Sequence, residues 1–229
     1  MVIDPIFQPD ELLPFTTAAA TPYSGLNMDH PLFTYYPGDV RNETLLSHIF
    51  STHQIAGVIN LAAVSRVLWC LENQADCTAV NVEAVSTLLS QMSSDGADRA
   101  TTRLPWLVQA SSREVYGDTK PGQPIAEFSG TVPSNVYGTS KLRAEEAIQS
   151  FIDEQGGLRG SSGEGHRDGL QAIALRLSNV YGGEHDHRGR LIPAMMTQAI
   201  AHRTIQMVGG DQFVSLNRRV GMSLSWRES

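Results

Sequence analysis

A tyrosine and a lysine four residues apart are the residues of this sequence best suited to acid–base chemistry. Tyr137 and Lys141 lie in the segment NVYGTSKLRAEE, and in an α-helix this spacing places both side chains on one face. The pKa of a tyrosine phenol is ordinarily about 10, so the phenol is a poor base at neutral pH unless a nearby positive charge favours the phenolate. Lys141 can supply that charge, and the pair is therefore a candidate for removing a proton from a hydroxyl group.

Residues 135–154 show the periodicity of a helix whose buried face carries this pair. Lys141 is one of only two lysines in the sequence. It lies on the apolar face, where a lysine retained only for solubility is not expected. The structural alternative is a buried tyrosine beside a lysine whose ammonium group reaches solvent. The apolar face continues through Ala144, Ile148 and Phe151, and the opposite face carries Arg143, Glu146, Gln149 and Asp153.

The rest of the chain alternates short apolar runs with helical patterns. This alternation predicts an α/β fold with a doubly wound, Rossmann-like parallel sheet, in which ligands bind at the carboxyl ends of the strands. The predicted strands cover residues 32–36, 57–61, 106–110 and 172–177, and the predicted helices cover residues 41–52, 73–93, 135–154 and 191–202.

Polar motifs with glycine or small residues follow each predicted strand. Residues 37–42 read PGDVRN, 60–63 read NLAA, 111–117 read SSREVYG and 178–183 read SNVYGG. Together with the YGTSK of residues 137–141, these motifs in this order resemble the NAD-dependent nucleotide-sugar epimerase/dehydratase family of the extended short-chain dehydrogenase/reductase superfamily. The resemblance runs from about residue 2 to residue 212, and the ordered set is more specific than any single motif.

The resemblance implies a catalytic role for three residues. Tyr137 would take a proton from a sugar hydroxyl while NAD takes the hydride from the same carbon. Lys141 would support the phenolate and hold the nicotinamide ribose of NAD, and Ser112 would hydrogen-bond the reacting hydroxyl. The implied reaction is epimerisation of a nucleotide-sugar by removal and return of a hydride.

The resemblance also implies contacts to the cofactor and to the nucleotide-sugar. Taken singly, these residues have structural alternatives, namely a turn at the GD pair, simple packing of the small residues, and polar capping of the loop after the last strand. The implied cofactor-binding residues are Asp4, Asp39, Val40, Leu61, Ala62, Ala63, Asn81, Tyr137, Lys141 and Ser178, and the implied substrate-binding residues are Ser112 and Asn179.

The residue at position 113 bears on the type of reaction. Dehydratases of the resembled family carry a threonine followed by an acidic pair before VYG, and the first acid protonates the leaving hydroxyl. Here that position is Arg113, followed by Glu114, and an arginine cannot act as the acid. Epimerisation is therefore favoured over elimination, and decarboxylation stays open.

The sequence departs from the resembled family at both ends. The family opens with a strand and a GxxGxxG motif, which binds the cofactor pyrophosphate at a helix N-terminus. No such motif precedes Gly38. The glycines at 157, 160 and 163 follow a helix pattern, so residues 156–169 are interpreted as a flexible insertion.

We therefore interpret residues 1–212 as a partial NAD-binding domain without the first strand and helix. Residues 213–229 form an atypical tail in place of a substrate subdomain. A non-catalytic fragment or pseudoenzyme of the same family is the alternative function.

Bulk composition limits the partners that are expected. The net charge of −7 and the pI near 5.4 give no basic surface for nucleic acid or an anionic membrane. The N-terminus lacks a signal-peptide pattern, and no window approaches the roughly 20 apolar residues of a membrane span. We expect a cytoplasmic protein with a nucleotide-sugar substrate, and the resemblance is compatible with a homodimer.

The cysteines and histidines suggest no metal centre. Cys70 and Cys77 are expected to be reduced core residues, because the pair resembles neither a disulfide framework nor a zinc motif. His185 and His187 lie two apart in the segment EHDHRGR, without a further cluster of ligands, and we expect them to be solvated.

Overall fold

The structure is a computed structural model that describes residues 31–94, 104–118, 124–157, 170–180 and 191–204. Among the sequence-based predictions, those for Asp4, for the two histidines of EHDHRGR, for residues 158–169 and for the tail from residue 213 fall outside the described residues. No helix in the described ranges is long and apolar enough to cross a membrane.

Three parallel strands form the sheet of the described chain. They are β1 (Gly57–Asn60), β2 (Trp106–Ser112) and β3 (Ala172–Leu177), in the spatial order β1-β2-β3. The register pairs Gly57 with Trp106 and Leu107 with Ala172. The parallel arrangement confirms the prediction and brings the carboxyl ends of all three strands to one edge of the sheet.

The prediction of a strand over residues 32–36 is wrong. In this segment only Tyr35 forms an isolated bridge. A strand requires a hydrogen-bonded neighbour along its length, and an apolar run alone does not supply one. The segment instead leads through Gly38 and Asp39 into the first helix.

The helices agree with the predicted ones at most positions, and a capping residue explains the start of the first one. Helix α1 (Glu43–Thr52) begins after Asn42, whose side chain accepts a hydrogen bond from the backbone N–H of Leu45 at 3.0 Å. The later helices α5 (Val136–Gly157) and α6 (Leu191–Ile200) also follow the predicted ranges. Since α5 extends to Gly157, the start of the predicted flexible insertion is helical.

The predicted helix over residues 73–93 is helical from Gln74 onward but contains a π-helical turn, and a further helix precedes it. The structure has α2 (Val67–Glu72), α3 (Gln74–Thr78), a π-helical turn (Ala79–Glu83) and α4 (Ala84–Ser94). Asn73, with φ −126° and ψ 59°, separates α2 from α3. The break brings the Cα atoms of Cys70 and Cys77 to 5.2 Å, and a disulfide joins the two residues. The expectation of reduced cysteines is therefore wrong, although both side chains are fully buried as predicted.

The main core lies between the sheet and three helices. Helices α1, α4 and α5 contribute Phe50, Leu89 and Ile148, and these pack with Val58 of β1 and Leu107 of β2. Alternate residues of a strand point to opposite faces, so Ile59 faces away from this core and is 61% exposed. The helices that carry the candidate site are thus fixed against one face of the sheet.

Candidate active site

Helix α5 presents Tyr137 and Lys141 to the interior, as its sequence predicts. Tyr137, Lys141, Ala144 and Ile148 are buried, whereas Arg143 is exposed. The ammonium nitrogen of Lys141 lies 5.9 Å from the centroid of the Tyr137 ring. Because four residues are just over one helical turn, the charge and the phenol ring occupy one site.

Lys141 is anchored to the sheet. Its Nζ donates a hydrogen bond to the carbonyl oxygen of Ala110 at 3.0 Å, and its residue is 3% exposed. Burial lowers the pKa of Lys141 to about 8, and the nearby Glu145 carboxylate partly opposes that shift. The lysine is therefore still mainly protonated at pH 7.

A polar chain crosses the carboxyl ends of β1 and β2 and ends at the same carbonyl. Asn60 donates to the Gln109 side chain at 2.8 Å, and Gln109 donates to the oxygen of Ala110 at 3.2 Å. Asn60 and Gln109 are partners in the strand register. The carbonyl oxygen that holds Lys141 is thus itself fixed by a second donor.

Two asparagines hold the small-residue turn at 61–64. The Asn60 side chain accepts from the N–H of Ala62 at 3.2 Å. Asn81, in the π-helical turn, accepts from the N–H of Val64 at 2.8 Å and donates to the carbonyl oxygen of Val64 at 3.0 Å. Asn81 also donates to Ser140 Oγ on α5 at 2.9 Å. The turn is therefore tied to both the sheet and the helix of Tyr137.

Ser112 ends β2 and begins a short 3₁₀ helix, Arg113–Tyr116. Its side chain accepts a hydrogen bond from the N–H of Glu114 at 3.2 Å. The Glu114 carboxylate forms an ion pair with Arg113 at 3.0 Å and accepts from Asn135 at 2.9 Å. Asn135 also caps α5, accepting from the N–H of Gly138 at 2.8 Å. One side chain thus joins the Ser112 segment to the start of the Tyr137 helix.

Glycine at position 138 permits this close approach. A Cβ atom there would lie 2.5 Å from the carbonyl oxygen of Glu114. Gly117, at the end of the 3₁₀ helix, has a φ of +67°, a conformation that other residues rarely adopt. The glycines of the VYG and YGTSK motifs therefore have structural reasons in this chain.

A second ionic cluster holds α5 to β3. Arg176 binds Glu145 at 2.7 Å and lies over the Tyr116 ring at 4.8 Å from its centroid. Glu145 also accepts a short hydrogen bond from the hydroxyl of Ser111. The hydrogen bonds to Glu145 raise the pKa of Arg176. These contacts fix the helix that carries Lys141 without using Lys141 itself.

The implied cofactor-binding residues Asp39 and Val40 lie next to the turn. Val40 packs with Val80 and Ala84 against Ala62. The carboxylate of Asp39 pairs with Arg41 at 2.7 Å, and this interaction lowers the pKa of Asp39. Asp39 is therefore already bound by a guanidinium group in this structure.

The structure brings some of the predicted residues together and leaves others at the margin. Val40, Ala62, Asn81 and Lys141 are linked through the turn at 61–64 and helix α5. Leu61 is 67% exposed. Ala63 is half-buried in the turn, Ser178 is half-buried directly after β3, and Asn179 is exposed.

Comparison with known proteins decides the family of this chain. A sequence model described as the NAD dependent epimerase/dehydratase family matches residues 14–216. The chain belongs to this family. The parallel sheet, the buried YxxxK pair and the ordered motifs after the strands are in keeping with that membership.

Two curated relatives represent the two activities in the family name. The chain is 30% identical over 189 residues to the UDP-glucose 4-epimerase of Halalkalibacterium halodurans, covering 79% of this chain and 50% of that protein. It is 28% identical over 191 residues to the dTDP-glucose 4,6-dehydratase of Haemophilus influenzae, covering 80% and 51%. The chain thus spans about half the length of these relatives.

Solved structures support the Rossmann-like fold. A crystal structure of UDP-glucose 4-epimerase matches with a TM-score of 0.59 and 26% identity, covering 74% of this chain and 48% of that one. The dTDP-glucose 4,6-dehydratase of Bacillus anthracis in complex with NAD matches with a TM-score of 0.59 and 25% identity, covering 76% and 46%. The predicted fold class and family are confirmed.

Sequence reasoning missed three side chains that shape the site. Asn60, Gln109 and Ser140 form hydrogen bonds to the turn, the sheet edge and helix α5. A polar residue within an apolar strand was the available signal for Gln109. Its pairing with Asn60 depends on strand register, which the sequence does not specify.

Proposed function

We propose that this chain carries the proton-transfer site for NAD-dependent epimerisation of a nucleotide-sugar by removal and return of a hydride, with Tyr137 as the base. The observation that carries the proposal is the buried ammonium of Lys141, which is held at the end of β2 beside the Tyr137 ring. Burying a charge costs free energy, and a chemical role explains why the charge is retained at this position.

The surroundings of Lys141 fit the ribose of a nicotinamide cofactor. An ammonium group has three hydrogens, and among the described residues Lys141 makes one hydrogen bond, to Ala110. The remaining hydrogens can bind ribose hydroxyl groups. When bound there, NAD would supply the acceptor for the hydride and the donor for its return.

The protein's own groups handle the proton. Tyr137 takes the proton of the sugar hydroxyl at its phenolate oxygen, and the positive charge of Lys141 stabilises that phenolate. Ser112 Oγ accepts from the N–H of Glu114, which fixes the oxygen while its hydroxyl hydrogen can bind the substrate oxygen. Tyr137 returns the proton when the hydride comes back.

The 3₁₀ helix after β2 favours epimerisation over dehydration. Arg113 stands where a dehydratase needs an acid, and its guanidinium pairs with Glu114. Glu114 is also bound by Asn135, so its carboxylate is already occupied by two donors. Neither residue is suited to protonate a leaving hydroxyl.

Product analysis tests this proposal. Since the chain matches half of the Halalkalibacterium halodurans epimerase, it is inserted in place of that half. The resulting chimera is incubated with NAD and UDP-glucose. We expect the 4-epimer, identified by NMR, because position 113 lacks the acid needed for elimination. A 4-keto-6-deoxy product would contradict epimerisation, and a folded, NAD-binding chimera without turnover would favour the non-catalytic alternative.

A further inference from the structure

The disulfide lies against the proposed base. Cys70, Cys77 and Tyr137 form one buried cluster, with both cysteines at 0% exposure. Val64, Val67 and Val136 pack around it. Since packed interiors have few voids, a change in the volume or position of the two sulfur atoms acts directly on the neighbours of Tyr137.

The break at Asn73 makes the disulfide possible. In a continuous α-helix, residues seven apart are separated by about 10.5 Å along the axis. Here the Cα atoms of Cys70 and Cys77 are 5.2 Å apart, within the usual range of roughly 4.4 to 6.8 Å for a disulfide. The pair is therefore positioned by the fold, and its thiols can be joined and separated without rearranging the sheet.

Cys77 also contacts the hydrogen bonds that hold the Tyr137 backbone. Its sulfur lies 3.5 Å from Asn81 Nδ2 and 3.6 Å from Ser140 Oγ. The Ser140 hydroxyl donates to the carbonyl oxygen of Tyr137 at 2.7 Å. A disulfide sulfur carries no hydrogen, whereas a thiol can donate to Ser140. Reduction would thus add a hydrogen-bond donor to the hydrogen-bond network that ends at the carbonyl oxygen of Tyr137.

We propose that Cys70 and Cys77 form a reversible thiol–disulfide site that reports the redox state to the Tyr137 segment of helix α5. Two molecules of a low-molecular-weight thiol reduce the bond, giving two cysteine thiols and one small-molecule disulfide, and the reverse reaction restores it. Two electrons and two protons pass to the protein on reduction. A consequence for turnover rests on the proposed function, whereas the site itself does not.

Helix α2 provides the route to the buried pair. It has six residues, and its outer side carries Leu68 and Leu71 at 71% and 56% exposure. Short helices are marginally stable and open locally at little cost. Opening of α2 exposes Cys70 while β1, β2 and α5 stay folded, so the exchange rate follows this local opening.

Thiol labelling tests the chemistry on the 229-residue chain. The chain is equilibrated in buffers with an increasing fraction of oxidised glutathione and alkylated under denaturing conditions. The number of alkyl groups is then determined from its mass by mass spectrometry. We expect a reversible two-state change from two alkyl groups to none, with no glutathione adduct remaining at equilibrium. Alkylation of both cysteines in every buffer, or a disulfide that forms only between chains, would overturn the proposal.

Hydrogen exchange tests the coupling without relying on turnover. Amides of residues 136–141 are expected to exchange at least about threefold faster in the reduced chain, because loss of the covalent bond loosens the cluster that packs Tyr137 and the thiol is only a weak hydrogen-bond donor in its place. The double variant Cys70→Ala, Cys77→Ala should show no redox dependence, and Cys70→Ser provides a second control that cannot form the bond. Equal exchange in the oxidised and reduced wild-type chain would overturn the coupling. Failure of the proposed enzymatic function would leave both measurements interpretable.

Discussion

At the scale of single residues, Lys141 carries a positive charge whose burial costs free energy. Burial lowers its pKa to about 8, which means that the folded chain favours the neutral lysine more than the unfolded chain does. Its position could be predicted because the helical periodicity of residues 137, 141, 144 and 148 is a local property. The disulfide could not be predicted, because it depends on a break between two helices. The sequence around Asn73 contains no signal for that break.

Lys141→Met tests the cost of this buried charge. Below about pH 8 the lysine is charged in both states. From there to about 10.5 the unfolded chain binds more protons, so the wild-type free energy of unfolding rises with pH. We expect it to gain about 3 kcal/mol relative to the Met variant across this window, measured by urea denaturation at several pH values. Arg143→Met lies at an exposed position of the same helix and keeps Lys141. The free energy of unfolding of this variant should therefore run parallel to that of the wild type across the window. Parallel curves for wild type and Lys141→Met would contradict this interpretation.

At the scale of elements, the geometry of the candidate site depends on the tertiary contacts between its helices and strands. The sequence predicted the parallel sheet and the four main helical regions, since these follow from apolar periodicity. It failed at residues 32–36, where pairing decides the structure, and at α2, whose six residues are too short for a clear periodic signal. The hydrogen bond from Asn135 to Glu114, which joins α5 to the Ser112 segment, is a tertiary contact. The periodicity of a sequence does not reveal such contacts.

Asn135→Ala tests that contact against a matched control. Asn135 and Asn42 each cap a helix, with hydrogen bonds of 2.8 and 3.0 Å to backbone N–H groups. Removing either cap is expected to cost about 1 kcal/mol in free energy of unfolding. Only Asn135→Ala should also lower kcat in the chimera, because only Asn135 binds Glu114. Equal activity of the two variants would show that the Asn135 contact does not position the site.

At the scale of the whole molecule, the chemistry and the binding of the cofactor are separate questions. The described residues provide the proposed proton-transfer pair and a small-residue turn, and the sequence before Gly38 contains no GxxGxxG motif. The chain spans about half the length of the relatives it matches. The motifs on which the proposed chemistry rests are short and local and could be found in the sequence, whereas the register of strand pairing across the sheet could not.

Calorimetric titration of residues 1–229 with NAD tests the expected affinity. A GxxGxxG turn supplies backbone N–H donors to the cofactor pyrophosphate. Without about three of these hydrogen bonds, at roughly 1.5 to 3 kcal/mol each, NAD binding is weaker by more than a thousandfold. We therefore expect no measurable binding at millimolar NAD by these residues alone. Micromolar affinity would show that the chain binds pyrophosphate by groups other than a GxxGxxG turn.

The most direct test of the account is the kcat of the chimera with Tyr137→Phe. Phenylalanine keeps the ring that packs with Cys70 and Cys77 and removes only the hydroxyl group. The account predicts a loss of at least about 100-fold in kcat, with an NAD dissociation constant close to that of the unmodified chimera. Near-normal turnover of the Phe variant would contradict the assignment of Tyr137 as the base.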